Sequence, residues 1–565
     1  MKQCQPGTWI ALTAFALFDV SSSSFAQNAP QLATTSHTII NTFRNDDSRS
    51  GYVASTVTYP VSVSWKRTET SANGNPASPV YADGILYYAV GKNIYAVNGT
   101  NGQLVWTFAT TGTTSGYFTS TPAITSTALY VGADDSTLYK LDIKTGKSLW
   151  QVKAAGPIRT SPVVDENKVF FGSDDNSGYA VDADTGQQIW SHTTDGAITA
   201  PPTLVQDSVV FASADNTLYS VNESTGRTLW SQRLPDDPSI SFPVLSGNVL
   251  YVGGGEELYA LTPRTGSIRW HAQLSSEITT PVSAGPDGLY IATNDNKVQC
   301  IVGRGRVAWT ATLDYPCQAN ILVTRNSVIV PTQHGTIYAF DPNTGLLQWE
   351  YVVQPSRMKP GEPAKSTDIA SEPLYADGSL FVLSDDGAMT AFRADSPDNS
   401  APRVGEITPA AGSLTQGLHT PYKAILIDDG TGIQPSSVVF SVDGKVLSKA
   451  KYDSSQNAMV IDFNNDLDGT ATPNLGDGNH HATLIAKDWR GNSLTKTWGF
   501  TVDTKLNPED RDAVTDPGTP TLQLDTTGDA PALGLPPAGP PATVAPPVRP
   551  NGKGNGATPP PPPPI

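Results

Sequence analysis

Four adjacent pairs, Asp134-Asp135, Asp174-Asp175, Asp215-Asn216 and Asp385-Asp386, are the residues whose type and spacing most readily do chemistry. Paired carboxylates serve as general acid and base, or as oxygen ligands for calcium. His480-His481 offers two imidazoles to a metal, and Cys300 and Cys317 offer two thiols. Each has a plainer reading. The acidic pairs recur at one place in a repeat with irregular composition, which fits turns whose Asp or Asn bonds the local backbone. The histidine pair has no Cys or carboxylate at ligand spacing and fits the start of a strand. The two cysteines either close a loop of about 16 residues, worth roughly 3 kcal/mol in an oxidising compartment, or lie as two buried free thiols in adjacent strands. The sequence therefore assigns no catalytic residue, no metal ligand and no cofactor.

The elements that would position such residues are set by tryptophan. Trp65, Trp106, Trp150, Trp190, Trp230, Trp270, Trp309 and Trp349 are spaced 41, 44, 40, 40, 40, 39 and 40 residues apart. Seven of them end one motif, as in IYAVNGTNGQLVW at Trp106, LYKLDIKTGKSLW at Trp150 and IYAFDPNTGLLQW at Trp349. A Pro-led strand and a second strand precede most copies, as in SPVVDENKVFFGS from Ser161. Each period reads as four short strands joined by tight turns, with Gly supplying positive φ in the Asx-x-x-Thr-Gly pieces. Segments such as Leu218-Tyr219-Ser220-Val221 do not alternate, so they are expected to be buried on both faces. Four-stranded sheets of about 40 residues stacked this way predict a β-propeller. The eighth copy, SEPLYADGSLFVLSDDGAMTAFRA from Ser371, has no Thr-Gly and Trp strand after it, while Trp65 has no repeat before it. Residues 61–66 are therefore expected to donate the outer strand of blade eight, closing an eight-bladed ring over residues 61–396 and removing a sheet edge.

Composition narrows the function classes. The 565 residues carry a net charge of −17, with 49 Gly and 46 Pro. An acidic chain repels phosphate backbones, so nucleic acid is not expected as a partner. No apolar run reaches the roughly 20 residues of a membrane helix, so no transmembrane span is expected in the mature chain. Residues 1–26, with Lys2, an apolar stretch from Trp9 to Phe18 and small residues at Ser24 and Ala26, read as an export signal cleaved near Ala26. With no Cys at the resulting N-terminus, a periplasmic or secreted protein without a lipid anchor is expected. Residues 27–60 are a lead-in.

The repeats resemble the quinoprotein-type, PQQ-like repeat propeller family, whose copies carry [LIV]-Y-A-[LVF]-[DN]-x-x-[TN]-G-x-x-x-W. The resemblance covers roughly residues 43–394. Phe43-Arg44-Asn45-Asp46 to Arg49-Ser50-Gly51 also looks like the lead-in of noncatalytic members. The family implies two functions. Its dehydrogenases use pyrroloquinoline quinone, calcium, an Asp base and a disulfide between adjacent cysteines, largely on long insertions; none of these is recognisable here. Its noncatalytic members are scaffolds, among them the lipoprotein propeller of the outer-membrane assembly machinery. That member is similar in blade count and compartment, but it carries a lipid-attachment Cys and lacks an extra C-terminal domain.

Two crossings between blades are long, and binding concentrates in long loops on rigid rings. Trp106 to Pro122 carries Tyr117 and Phe118, and Trp349 to Pro373 carries Arg357, Lys359 and Lys365. These five residues are the candidate contacts for a protein partner in the cell envelope. Beyond the ring, residues 402–504 alternate as about seven strands and predict a β-sandwich. Its turn from Asp488 to Asn492 resembles the last hairpin of bacterial immunoglobulin-like domains, which act as spacers or adhesive units. Residues 505–565, ending in Pro559 to Pro564, carry too few large apolar groups for a core and are expected to be disordered. The expected whole is an all-β, noncatalytic, exported scaffold. A PQQ- and calcium-dependent dehydrogenase and a propeller subunit of outer-membrane protein assembly are the alternatives, and the oligomeric state is not legible.

Overall fold

In the repeats, three strands are largely buried while the fourth alternates, as Ser208–Ser213 and Thr228–Arg233 show in one blade; the exception is blade seven, whose fourth strand Leu347–Val352 is buried from Trp349 onward. A strand packed between two neighbouring sheets loses both faces to the core; a strand on the rim keeps one side wet. The computed structural model describes residues 42–69, 76–110, 116–235, 241–354, 368–415, 421–461 and 475–505. Within them lie eight blades, each of four antiparallel strands, with a fifth, parallel strand joined to blade seven. Blade one runs from Ala77–Ala82 to Leu104–Ala109, and blade two from Ala123–Ile124 to Ser148–Lys153. Blades three to seven open on Val163–Asp165, Thr203–Val205, Val244–Ser246, Ser283–Ala284 and Leu322–Thr324. Blade eight holds Leu374–Ala376, Ser379–Leu383 and Ala388–Arg393, and its outer strand is Ser62–Thr68, with Ser62 opposite Arg393. Ala77–Ala82 touches the inner strands of blades two and eight, so the sheets form a closed ring.

The tryptophans join the blades. In all eight, the outer strand carries a β-bulge immediately before its Trp. A bulge re-aims the following side chain. In six of them, all but Trp270 and Trp349, the indole then lies on the next blade's Asx-Thr-Gly turn, 33 to 37 residues further on. There its Nε1–H donates to the carbonyl just after the Asx position: Trp65 to Gly99, Trp106 to Ile143, Trp150 to Ala183, Trp190 to Glu223, Trp230 to Pro263 and Trp309 to Pro342, at 2.8–3.2 Å. The turn glycine is required twice over. Gly146 has φ +68°, and a Cβ there would stand 2.4 Å from the Trp106 indole; the same holds for Gly266 beneath Trp230, at 2.5 Å. The Thr-Gly and Trp of the motif thus belong to two different contacts, one within a blade and one across a seam.

Residues 403–502 form two further sheets of four and five strands, which share one core that includes Leu426, Met459, Phe440, Leu484 and Trp498. This is a β-sandwich, and it belongs to the same compact unit as the ring. An independent spacer would be separable; this sandwich buries Trp349 and Glu350 of blade seven instead. Residues 1–26, on which the export-signal expectation falls, residues 27–41 of the lead-in and the Pro-rich residues 506–565 lie outside the described residues.

Candidate functional site

The axis of a propeller is where a ligand would reach all blades, and here a segment of the chain itself runs along it. Carbonyls of Asp47, Ser48, Ser50 and Gly51 accept the N–H of Leu204, Leu245, Ala284 and Val323, one from the inner strand of each of blades four to seven, at 2.8–3.1 Å. Tyr52–Val53 then pairs in parallel with Val323 and Thr324, adding a fifth strand inside blade seven. Two arginines anchor this lead-in. Arg49, 0% exposed, donates to Pro202 O at 3.0 Å, to Phe43 O and Thr42 Oγ1 at 2.8 Å, and more distantly to Ser161 O and Pro162 O before blade three. Arg44 donates to Val282 O at 2.6 Å and to Ser283 Oγ, and lies 3.7 Å from Glu372 before blade eight. A segment that touches blades three to eight lines the axis along those blades.

Burial governs the charges here. It pulls the Arg49 guanidinium down to about 10, with Asp47 and Asp46 opposing the shift, so Arg49 stays protonated at neutral pH. Burial likewise lifts the Glu372 carboxyl to about 7 against the pull of Arg44. A quinone bearing three carboxylates needs cations free to receive it. Arg49 is spent on carbonyls and a hydroxyl, and the fully buried Arg44 bonds Val282 O and Ser283 Oγ, leaving only its Nε unbonded, 3.7 Å from Glu372; neither guanidinium is free to receive such a group, so these residues do not fit that cofactor.

The mouth of the ring carries a cavity of about 650 Å³ over blades four to six, lined by Thr199, Ser213, Ser241, Glu277, Asn294 and Gln318. The same face holds the acidic pairs, and they act as turn residues. Asp135, Asp175 and Asp215 accept the hydroxyls of Tyr139, Tyr179 and Tyr219 at 2.6–2.8 Å, and Asp175 and Asp215 also accept N–H groups from the crossing loops. Asp134 and Asp174 flank Arg159. His480 is held by Asp443 at 2.6 Å and by Gly476 O at 2.8 Å, which is a strand-end contact.

Of the candidate partner contacts, Phe118 is corrected by its burial. It is 1% exposed and packs edge-on to Tyr139 at 5.9 Å, because the Gly-rich crossing folds back so that Phe118 N–H donates to Gly91 O. Its neighbour Tyr117 stays half-buried at the surface with the Lys92 ammonium 5.2 Å from its ring. Arg357, Lys359 and Lys365 lie outside the described residues. Cys300 and Cys317 are both buried free thiols. Cys300 sits opposite Trp309 within blade six, and Cys317 lies in the crossing to blade seven, where its Sγ donates to Ala319 O. Burial pushes both thiols up, Cys300 to about 11, which leaves them protonated and unreactive.

Sequence reasoning missed a carboxyl under the sandwich. Glu350 is 5% exposed, faces Asp314, Tyr338 and Tyr452, and has an Oε1 with no hydrogen-bond partner. Burial first, and the Asp314 charge second, lift it to about 8. Unfolded, it titrates near 4.5, so between those values the folded chain holds a proton that the unfolded chain has lost. Its contribution to stability is fully present below the unfolded pKa and is lost as pH rises through the folded one. The midpoint of thermal unfolding should therefore fall by several degrees from pH 5 to pH 8, and Glu350→Gln should flatten that slope. An equally steep slope in the variant would show that Glu350 is not its source. The residue gave no sequence signal, because it is an outward position of a rim strand until another domain covers it.

Residues 47–161, 90–238, 149–284 and 214–429 match the family described as outer membrane protein assembly factor BamB. No curated protein matches the sequence. Among solved structures, a quinohemoprotein alcohol dehydrogenase from Pseudomonas putida is 14% identical, with 66% of this chain and 83% of that one covered and a TM-score of 0.52. A europium-containing methanol dehydrogenase is also 14% identical, over 61% and 89% of the two chains, with a TM-score of 0.52. BamB from Moraxella catarrhalis is 17% identical over 60% and 99%, with a TM-score of 0.47. At such identities the two dehydrogenases share the fold with this chain.

Proposed function

We propose, because the chain belongs to the repeat family described as outer membrane protein assembly factor BamB, that it is an exported, noncatalytic propeller that binds a protein partner in the cell envelope. The observation that carries this reading is the lead-in lying along the axis. With residues 42–53 bonded to the inner strands and Arg49 fully engaged, the place where a ring offers a shared pocket to a small molecule is taken by the chain itself. What remains for recognition is surface. Tyr117 and the crossing that holds Arg357, Lys359 and Lys365 supply the contact, with the sandwich as an immunoglobulin-like module set against blade seven. Carboxylates in the turns of the same face, Asp134, Asp174 and Asp385 among them, disfavour nucleic acid and other polyanions.

The test is crosslinking in the native envelope, with the wild type compared against a triple charge reversal at Arg357, Lys359 and Lys365. Loss of one crosslinked protein from the variant supports the reading, and an unchanged set of partners sinks it. Adding pyrroloquinoline quinone and Ca²⁺ to the purified chain tests the dehydrogenase alternative. A bound chromophore together with dye-linked alcohol oxidation would reverse the assignment.

A further inference from the structure

Seven blades end their third strand in a turn that receives the preceding blade's tryptophan, or in its Gly-rich counterpart in blade six. Blade eight does not. There the Asx position is Arg393 and the Thr-Gly positions are Ser396-Pro397, so the residue matching the indole's usual acceptor is Ala394. The sandwich occupies this seam from both sides. Trp349 of blade seven donates its Nε1–H to Thr431 O of the sandwich at 3.0 Å, and Ala394 O accepts from Arg490 of the sandwich at 2.6 Å. Arg490 also donates to Ser396 O at 2.9 Å and, through Nε, to Ser62 Oγ on the closing strand. Gly430 O accepts Val63 N–H from that strand at 3.1 Å, and Trp489 Nε1 donates to Glu350 O at 3.1 Å. Gly432 fits only without a side chain, since a Cβ would meet Glu350 O at 2.9 Å with φ already at +86°.

The seam leads to the axis. Trp349, 0% exposed, is stacked by Tyr59 at 5.8 Å, and Tyr59 lies between the axial segment and the closing strand in sequence. Val57, two residues earlier, is held by Asn326 through both its N–H and its carbonyl.

We propose that the sandwich is the latch of the ring: its Asp428–Gly432 and Asp488–Asn492 loops replace the turn that blade eight lacks, and they hold the closing strand Ser62–Thr68 in place. Release of this latch frees the closing strand while the repeats with intact turns stay folded. A partner that pulls on the sandwich thereby loosens the strap that leads to the axial lead-in. The inference concerns the seam alone and stands whatever the partner is.

Hydrogen exchange on the full chain tests it. Arg490→Ala removes three donors from the seam, and amides of residues 62–68 and 388–393 should exchange at least ten-fold faster while those of blades two to four keep their protection. Trp489→Phe keeps the apolar ring and loses only the Nε1 donor; it should show the same pattern at smaller amplitude and serves if Arg490→Ala does not fold. Faster exchange confined to residues 478–502, an equal rise in every blade, or no change in either variant would overturn the latch.

Discussion

Trp349→Ala should be the most destabilising of the eight tryptophan truncations. Deleting a fully buried aromatic side chain costs about 3–5 kcal/mol, the cavity included. Trp349 alone among the eight has 0% exposure; Trp106, Trp190, Trp230 and Trp309 keep 7–9%, and Trp65, Trp150 and Trp270 more. Its ring contacts Tyr59, Tyr351 and Phe392, with centroids at 5.6–6.0 Å, so the cavity would open where the lead-in, blade seven and blade eight meet. The lost indole N–H also strands Thr431 O, a buried acceptor, at a cost of about 1–3 kcal/mol. Urea unfolding followed by circular dichroism should rank Trp349→Ala below Trp150→Ala in midpoint, with Trp349→Phe in between. Equal midpoints for the alanine variants would mean that the sandwich does not bury this seam in solution.

Arg49→Met should unseat the lead-in from the axis. Methionine fills part of the space but donates nothing, leaving Pro202 O and Phe43 O without the guanidinium that satisfies them. It also removes the cation beside Asp47, whose carboxyl burial already lifts. Breaking a buried charged network of this kind costs about 3–5 kcal/mol. Arg49→Lys should recover little, since an ammonium is a point donor and the acceptors are spread around a planar fork. The expected readout is faster proteolytic cleavage within residues 42–58 together with a lower urea midpoint. Unchanged cleavage would show that the backbone bonds to blades four to seven hold the segment unaided.

What could be read from the sequence divides along a physical line. The blades were legible, because Trp spacing, Thr-Gly turns and non-alternating strands are side-chain signals repeated many times. Trp65 without a preceding repeat marked a donated strand, and Ser62–Thr68 pairs with Ala388–Arg393. The axial path was not legible. Its partners are backbone N–H groups of Leu204, Leu245, Ala284 and Val323, which any residue type supplies. Thr431 and Ala394 act through carbonyls for the same reason, and Arg490 reads as one more charge in a hairpin turn. Phe118 misled, since an aromatic in a Gly- and Thr-rich crossing gives no sign of folding back into the core.

The pairing of Ser62 with Arg393 also sets a timetable for synthesis. At ribosomal rates of 5–20 residues per second, the first partner waits on the order of tens of seconds before the second is made. Until Ser62–Thr68 and Ala388–Arg393 meet, the ring is open and the facing edges of both strands are unpaired. Contacts of such long sequence separation also form slowly once both halves exist. The finished molecule is therefore reached late and all at once, and a holdase that shields open edges should raise its yield more than any catalyst of local folding.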